Sequence, residues 1–216
     1  MTDLLLTHGY FLAEDEKEQQ IMKPYPPLGL LYLSAYLKAH GRAVEVYDST
    51  FGDRQELLQR FDASRPAVVG IYTNLMTRRP VLEIMQAARE RGWTVVLGGP
   101  EAANYPAEYL AAGADVIVVG EGEETLLELL AALQGPGRQA LAAVRGIVFS
   151  TEAGELVRTA VRPRVADLDS LPNPDREAID HHKYLDVWQR CHGASSINLI
   201  TARGCPYRCK IGRAHV

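Results

Sequence analysis

The sequence predicts a doubly wound α/β fold, with a mainly parallel five-stranded sheet and a hairpin on the sheet's edge. Short β-branched runs alternate five times with stretches at helical spacing. Those runs are close to continuously apolar, the pattern of strands covered on both faces. The helical stretches are about ten residues or longer, enough for the crossover that parallel neighbours require.

"DLLLT" (Asp3 to Thr7) is the first strand, and "PPLGLLYLSAYLKAHG" is a helix opened by Pro26 and Pro27 and closed by Gly41. Leu30, Leu33 and Leu37 fall on one stripe of it. "AVEVYD" (Ala43 to Asp48) alternates as a second strand, and "DRQELLQRFD" is a helix with acids first and a base late, as the macrodipole favours. "AVVGIY" (Ala67 to Tyr72) is the third strand; its helix, "RPVLEIMQAARERG", stops at Gly92. "TVVLGG" (Thr94 to Gly99) precedes a short helix with Pro106 in its first turn and Gly113 at its end. "DVIVVG" (Asp115 to Gly120) precedes the helix "EETLLELLAALQG".

After "GPG" (Gly135 to Gly137) the pattern changes. "GIVFS" and "LVRTA" flank "TEAGE", whose Gly154 suits a tight reversal, so an edge hairpin is expected. "RPRVADLDSLPNPDREAID" reads as a linker, and "SINLIT" (Ser196 to Thr201) as the first strand of a second domain. The expected division is an α/β domain over 1–150, hairpin strand and linker over 151–183, and a second domain starting at 184–216.

Hydrophobic residues make up 47% and charged residues 23% of the chain, the mixture of a folded globular protein. A formal net charge of -4 gives no general drive toward nucleic acid. The start "MTDLLLTHGY" lacks a basic leader, and "LGLLYLSAYL" is too short for a membrane span, so a cytoplasmic protein is expected. Three cysteines argue against a disulfide framework.

In such a sheet, ligands sit beyond the carboxyl ends of the strands. Gly98, Gly99 and Pro100 leave the fourth strand without side-chain bulk, and Gly120 and Gly122 do the same after the fifth. Two such clusters on adjacent strands point to a shared ligand site. "GEGEET" matches G-x-G-x-x-G except at Thr125, but Glu121, Glu123 and Glu124 would face a pyrophosphate with carboxylates, which disfavours a nicotinamide dinucleotide. Helix N-terminal charge accounts for Glu123 and Glu124, and less readily for Glu121. A phosphorelay receiver would need an acid after the third strand, where Thr73 and Asn74 stand. His8 lies just past the first strand, within reach of a sheet-edge ligand, although a hydrogen-bonded loop role is the commoner one. His181 and His182 are expected in solvent, and Cys191 as a buried or unused thiol.

Cys205 and Cys209 have C-x-x-x-C spacing, which is not the thioredoxin-type motif, and no second Cys or His pair nearby completes a zinc site. Three thiolates as C-x-x-x-C-x-x-C suit a 4Fe-4S cluster with one open iron, but the third position is Gly212.

The stretch Thr201-Ala202-Arg203-Gly204-Cys205-Pro206-Tyr207-Arg208-Cys209 resembles the cluster loop of radical S-adenosylmethionine enzymes, "RGCPYxCxxC" after the first strand of a partial (β/α) barrel. The preceding unit, with "PPLGLLYLSAYLKAHG", "GGPEAANYP" and "ADVIVVGEGEET", resembles the Rossmann-like cobalamin-binding domain of that superfamily's cobalamin-dependent branch, and "VADLDSLPNPDR" resembles its interdomain connection. The resemblance covers nearly the whole chain. It implies a corrinoid across the carboxyl edge of the sheet, cradled by Thr73 and Asn74, by Gly98, Gly99, Pro100 and Glu101, and by Gly120, Glu121, Gly122 and Thr125. The D-x-H-x-x-G motif of histidine-ligated cobalamin proteins is absent, because Leu6 and Phe11 occupy its first and last positions around His8. A base-off corrinoid without a protein histidine is therefore expected.

The resemblance also implies that Cys205 and Cys209 are cluster ligands. In an intact family member the cluster reductively cleaves S-adenosylmethionine to a 5′-deoxyadenosyl radical. Cobalamin then serves methyl transfer, cyclisation or another rearrangement, and a flavodoxin or ferredoxin is a candidate reductant. A stand-alone cobalamin or small-ligand module with incidental cysteines is the alternative. The final "KIGRAHV" is what a common sequencing adapter encodes in frame after a lysine codon. Ile211 to Val216 are thus expected to be artefactual, and the frame to continue past Lys210 through a third cysteine. As written, the chain is expected to bind corrinoid without catalysis.

Overall fold

In the computed structural model of the chain, the described residues are 2–63, 67–135 and 137–204. The elements run β1 (Leu4–His8), α1 (Glu16–Ile21), α2 (Leu28–Ala39), β2 (Val44–Tyr47), α3 (Arg54–Ala63), β3 (Val68–Tyr72), α4 (Arg78–Glu90) and β4 (Thr94–Gly98). They continue with α5 (Pro100–Asn104), α6 (Pro106–Ala111), β5 (Val116–Val118), α7 (Glu123–Gln134), β6 (Ile147–Ser150), β7 (Leu156–Arg158) and α8 (His181–His192).

One seven-stranded sheet has the order β2-β1-β3-β4-β5-β6-β7. The first five strands pair in parallel, and β6 and β7 add antiparallel at the edge as the expected hairpin. Gly154 takes φ 81° in its turn. Because successive strand residues face opposite ways, each strand feeds two cores. Leu4, Leu6, Val68, Val96, Val116 and Val118 pack under α2 and α7. Leu5, Val69, Ile71, Val95, Leu97 and Ile117 pack under the helices of the other face, with Phe61, Trp93 and Tyr109. Order changes hand between β1 and β3, where the chain crosses from one face to the other, and the carboxyl ends of these strands are where a crevice opens.

The short helix expected after the fourth strand, with Pro106 in its first turn, is α6, and α5 precedes it with its own proline start and Tyr105 between the two. Two expectations are corrected. The stretch read as a linker is a strap bound to the α2/α7 face. Arg162, almost fully buried, pairs with Glu124 and Glu128 and donates to the Thr125 hydroxyl. Asp175 accepts from Ser34 Oγ and Lys38 Nζ, each at 2.6 Å. Charged residues that mark a solvated linker thus satisfy buried and half-buried partners instead. Finally, residues 196–201 form no strand, since no neighbouring strand pairs with their backbone among the described residues. They are held by Asn198, whose side-chain amide donates to the Pro26 carbonyl, while Arg176 donates to the Asn198 carbonyl. Among the described residues no helix is long and apolar enough to cross a membrane.

Candidate functional site

A cavity of about 270 Å³ opens at the carboxyl edge of the sheet, between its α2/α7 face and those two helices. The strand alternation explains why it is there. Toward their carboxyl ends, the cavity-facing positions that continue the Val and Leu floor are Gly70 in β3, Gly98 in β4 and Gly120 beyond β5. Methyl groups added at Gly98 or Gly120 would meet no atom within 4 Å, so these glycines leave open space rather than relieve crowding. Gly29, in the first turn of α2, is likewise open, whereas a Cβ on Gly122 would come 3.0 Å from Leu33 Cδ2. The walls are apolar, with Leu6, Leu30, Leu33 and Leu126 among them.

Beyond the carboxyl ends of β3 and β4, several large side chains are uncovered, and one of them, Tyr72, lines the cavity. Tyr72, Leu75, Met76 and Tyr105 are all exposed, Met76 at 81%. The turn carrying Leu75 and Met76 is held by a reciprocal cap: Asn74 Oδ1 accepts from the Thr77 N–H at 3.0 Å, and the Thr77 hydroxyl accepts from the Asn74 N–H at 3.2 Å.

Of the residues singled out from sequence, Gly98, Gly99, Gly120, Glu121 and Gly122 line one cavity. Thr73, Asn74, Pro100, Glu101 and Thr125 do not line it. Thr73 is fully buried on the opposite face, 3.5 Å from the Tyr109 hydroxyl, and its N–H donates to the Gly98 carbonyl. Asn74 is the cap, and Pro100 starts α5. Glu101 is buried, and its Oε1 lies 3.2 Å from Arg78 Nε as an ion pair. The Thr125 hydroxyl donates to the Glu121 carbonyl. Cys205 and Cys209 lie outside the described residues.

Sequence reasoning missed Gly29 and Gly70. Gly70 carried a usable signal, because a glycine inside an apolar strand often marks a close approach. Ile200 and Arg203 also line the cavity, and no local pattern signals that. The acids of "GEGEE" are explained jointly: Glu121 Oε2 accepts the Val165 N–H at 2.6 Å, Glu123 pairs with Arg203, and Glu124 pairs with Arg162.

His8 ends β1, buried rather than in a loop. Its Nδ1 accepts the Tyr10 N–H at 3.2 Å, so the proton sits on Nε2, 3.0 Å from Asp48 Oδ1. Both ring nitrogens are engaged. The Tyr184 hydroxyl donates to Asp48 Oδ2 at 2.5 Å, and burial raises the tyrosine's pKa far above its ordinary value. Burial works to raise the Asp48 carboxyl too, but the hydrogen bonds from His8, Tyr184 and the Thr50 N–H outweigh it and hold Asp48 below the usual carboxylate range. Cys191, expected buried or unused, is exposed near the end of α8 because the packed stripe of that helix runs through Tyr184, Val187 and Trp188.

The family model described as the B12 binding domain matches residues 20–130. The chain is 30% identical over 198 residues to an anaerobic magnesium-protoporphyrin IX monomethyl ester cyclase of Rubrivivax gelatinosus, covering 88% of this chain and 35% of the relative. It is 26% identical over 168 residues to a bacteriochlorophyllide d C-8(2)-methyltransferase of Chlorobaculum tepidum, covering 77% and 31% respectively. The chain thus spans about a third of the length of these relatives. The structure resembles that of the cobalamin-dependent S-adenosylmethionine radical enzyme OxsB with aqua-cobalamin bound, with a TM-score of 0.67 and 22% identity over 80% of this chain and 24% of that one. A glycine-floored crevice at the carboxyl edge of this sheet, together with the match over residues 20–130, places the chain in the B12 binding domain family.

Proposed function

We propose that this chain is the corrinoid-binding part of a cobalamin-dependent radical S-adenosylmethionine enzyme, and that it holds cobalamin base-off. The observation that carries this reading is an apolar, glycine-floored slot at the carboxyl edge of the sheet. The slot is far too small for a corrin macrocycle but suits a flat aromatic arm, which cobalamin has in the benzimidazole of its nucleotide tail. Gly70, Gly98 and Gly120 would floor that arm, with Leu33 and Leu126 as walls. Tyr72, Leu75, Met76 and Tyr105 would meet the macrocycle and exclude water. Thr73 acts through the backbone, holding the β3 and β4 ends in register.

Cobalamin, when bound, supplies a cobalt centre suited to methyl transfer or one-electron chemistry. Cys205 and Cys209 are read as ligands of a 4Fe-4S cluster in the longer protein, where S-adenosylmethionine and a flavodoxin or ferredoxin would complete a cytoplasmic system. Cyclisation and methyl transfer, the activities named for the two relatives, are the reaction classes proposed.

The test is retention of hydroxocobalamin through desalting, with its visible spectrum altered, set against cobinamide, which lacks the nucleotide tail. Cobalamin is expected to stay and cobinamide to bind at least tenfold more weakly. An unaltered spectrum with no retention overturns the reading. Anaerobic iron and sulfide reconstitution of the longer protein tests the cluster, since a simple binding module would take up corrinoid and no iron.

A further inference from the structure

The wall of the cavity is completed by chain that does not belong to the sheet or its helices. Ile200 and Arg203 line it alongside Leu33 and Gly122. Arg203 Nη2 lies 2.5 Å from Glu123 Oε1 and its Nη1 3.8 Å from Glu121 Oε1, with the guanidinium 5.6 Å from the Tyr32 ring centroid. Both carboxylates are almost buried, at 5% and 12% side-chain exposure. Glu121 is not free to turn away, because its other oxygen holds the Val165 N–H.

We propose that Arg203 is a positioning residue, whose pairing with Glu123 and Glu121 links filling of the cavity to seating of the segment that leads to Cys205. This rests on the corrinoid reading above. Without Arg203, two carboxylates face an apolar crevice, where loss of hydration is expensive. An apolar group in the crevice displaces water that screens them, and so strengthens their attraction for the guanidinium. The seated Arg203 in turn closes the wall around that group, because coupling of two equilibria is reciprocal. Among the described residues, 196–204 form no backbone ladder and are otherwise held through side chains, as Asn198 to the Pro26 carbonyl and Arg176 to the Asn198 carbonyl, so their seating is a local equilibrium that such a pair is able to bias.

Hydrogen exchange over residues 196–204, with and without saturating hydroxocobalamin, tests this in the unmodified chain, in Glu123→Gln and in Arg203→Met. In the unmodified chain, hydroxocobalamin should slow exchange there by roughly tenfold. Both variants should lose that slowing and bind hydroxocobalamin more weakly by about the same factor. Arg203 lies outside both core layers, so Arg203→Met remains informative even where Glu123→Gln does not fold. Retention of hydroxocobalamin by the unmodified chain with unchanged exchange in 196–204 overturns the linkage and leaves the corrinoid reading intact. Variants that bind as tightly and stay as protected overturn it as well, and failure to bind at all overturns both proposals.

Discussion

Gly98 and Gly99 are neighbours in sequence with opposite tolerances. A Cβ on Gly98 enters the empty crevice, in a strand whose backbone suits any residue. A Cβ on Gly99 would lie 2.3 Å from the Thr73 carbonyl oxygen, at φ 97°. Gly98→Val should therefore keep the urea midpoint of the native protein while weakening hydroxocobalamin retention at least tenfold. Gly99→Ala should lower stability by about 1–3 kcal/mol in urea unfolding, since it combines backbone strain with a backbone clash. The glycine clusters were legible because a missing side chain at a strand end has little other use than a turn or a ligand. That Thr73 turns to the far face was not, because side-chain direction depends on strand register, which the residue type does not set.

At the scale of elements, α8 shows how far a helix can be misjudged from its surroundings. Its start is an Asp180 cap and its end Gly193 at φ 74°, both ordinary signals obscured by the prolines and charges before it. Tyr184, Trp188 and His192 lie on one stripe at four-residue spacing, and they reach Asp48, the Pro24 carbonyl and the Met22 carbonyl. Tyr184→Phe removes the hydroxyl from the Asp48 carboxylate and should cost about 1.5–3 kcal/mol, read as a lower urea midpoint. Asp48 is held below its ordinary pKa in the folded state, so its stabilising contribution is present above about pH 4 and fades as pH falls through the depressed value. The deficit of Tyr184→Phe should accordingly be greatest near neutral pH and shrink in acid. The five βα repeats themselves were legible throughout, because apolar period and helix stop signals are local.

The whole molecule is a sheet whose α2/α7 side is clasped by chain 34 or more residues distant from its partners there. Arg162 anchors that strap almost out of solvent, between Glu124 and Glu128 on the exposed side of α7. Arg162→Met should free residues 161–165 and lower stability by about 1–3 kcal/mol, with faster exchange at the Val165 amide as the local readout. Its effect should exceed that of Arg79→Ala, whose side chain is 91% exposed and whose ion pair to Glu83 is screened by water.

The sequence alone determined the α/β alternation, the parallel sheet with its edge hairpin, and the glycine shelf at the ends of the fourth and fifth strands. Each of these follows from short-range constraints: backbone hydrogen bonding, apolar period and the absence of a Cβ. Only the tertiary structure decided that Gly29 and Gly70 join that shelf, that His8 is spent on Asp48 and Tyr10, and that Arg203 closes a wall against Glu123. Those are pairings between residues distant in the chain, set by how the layers pack.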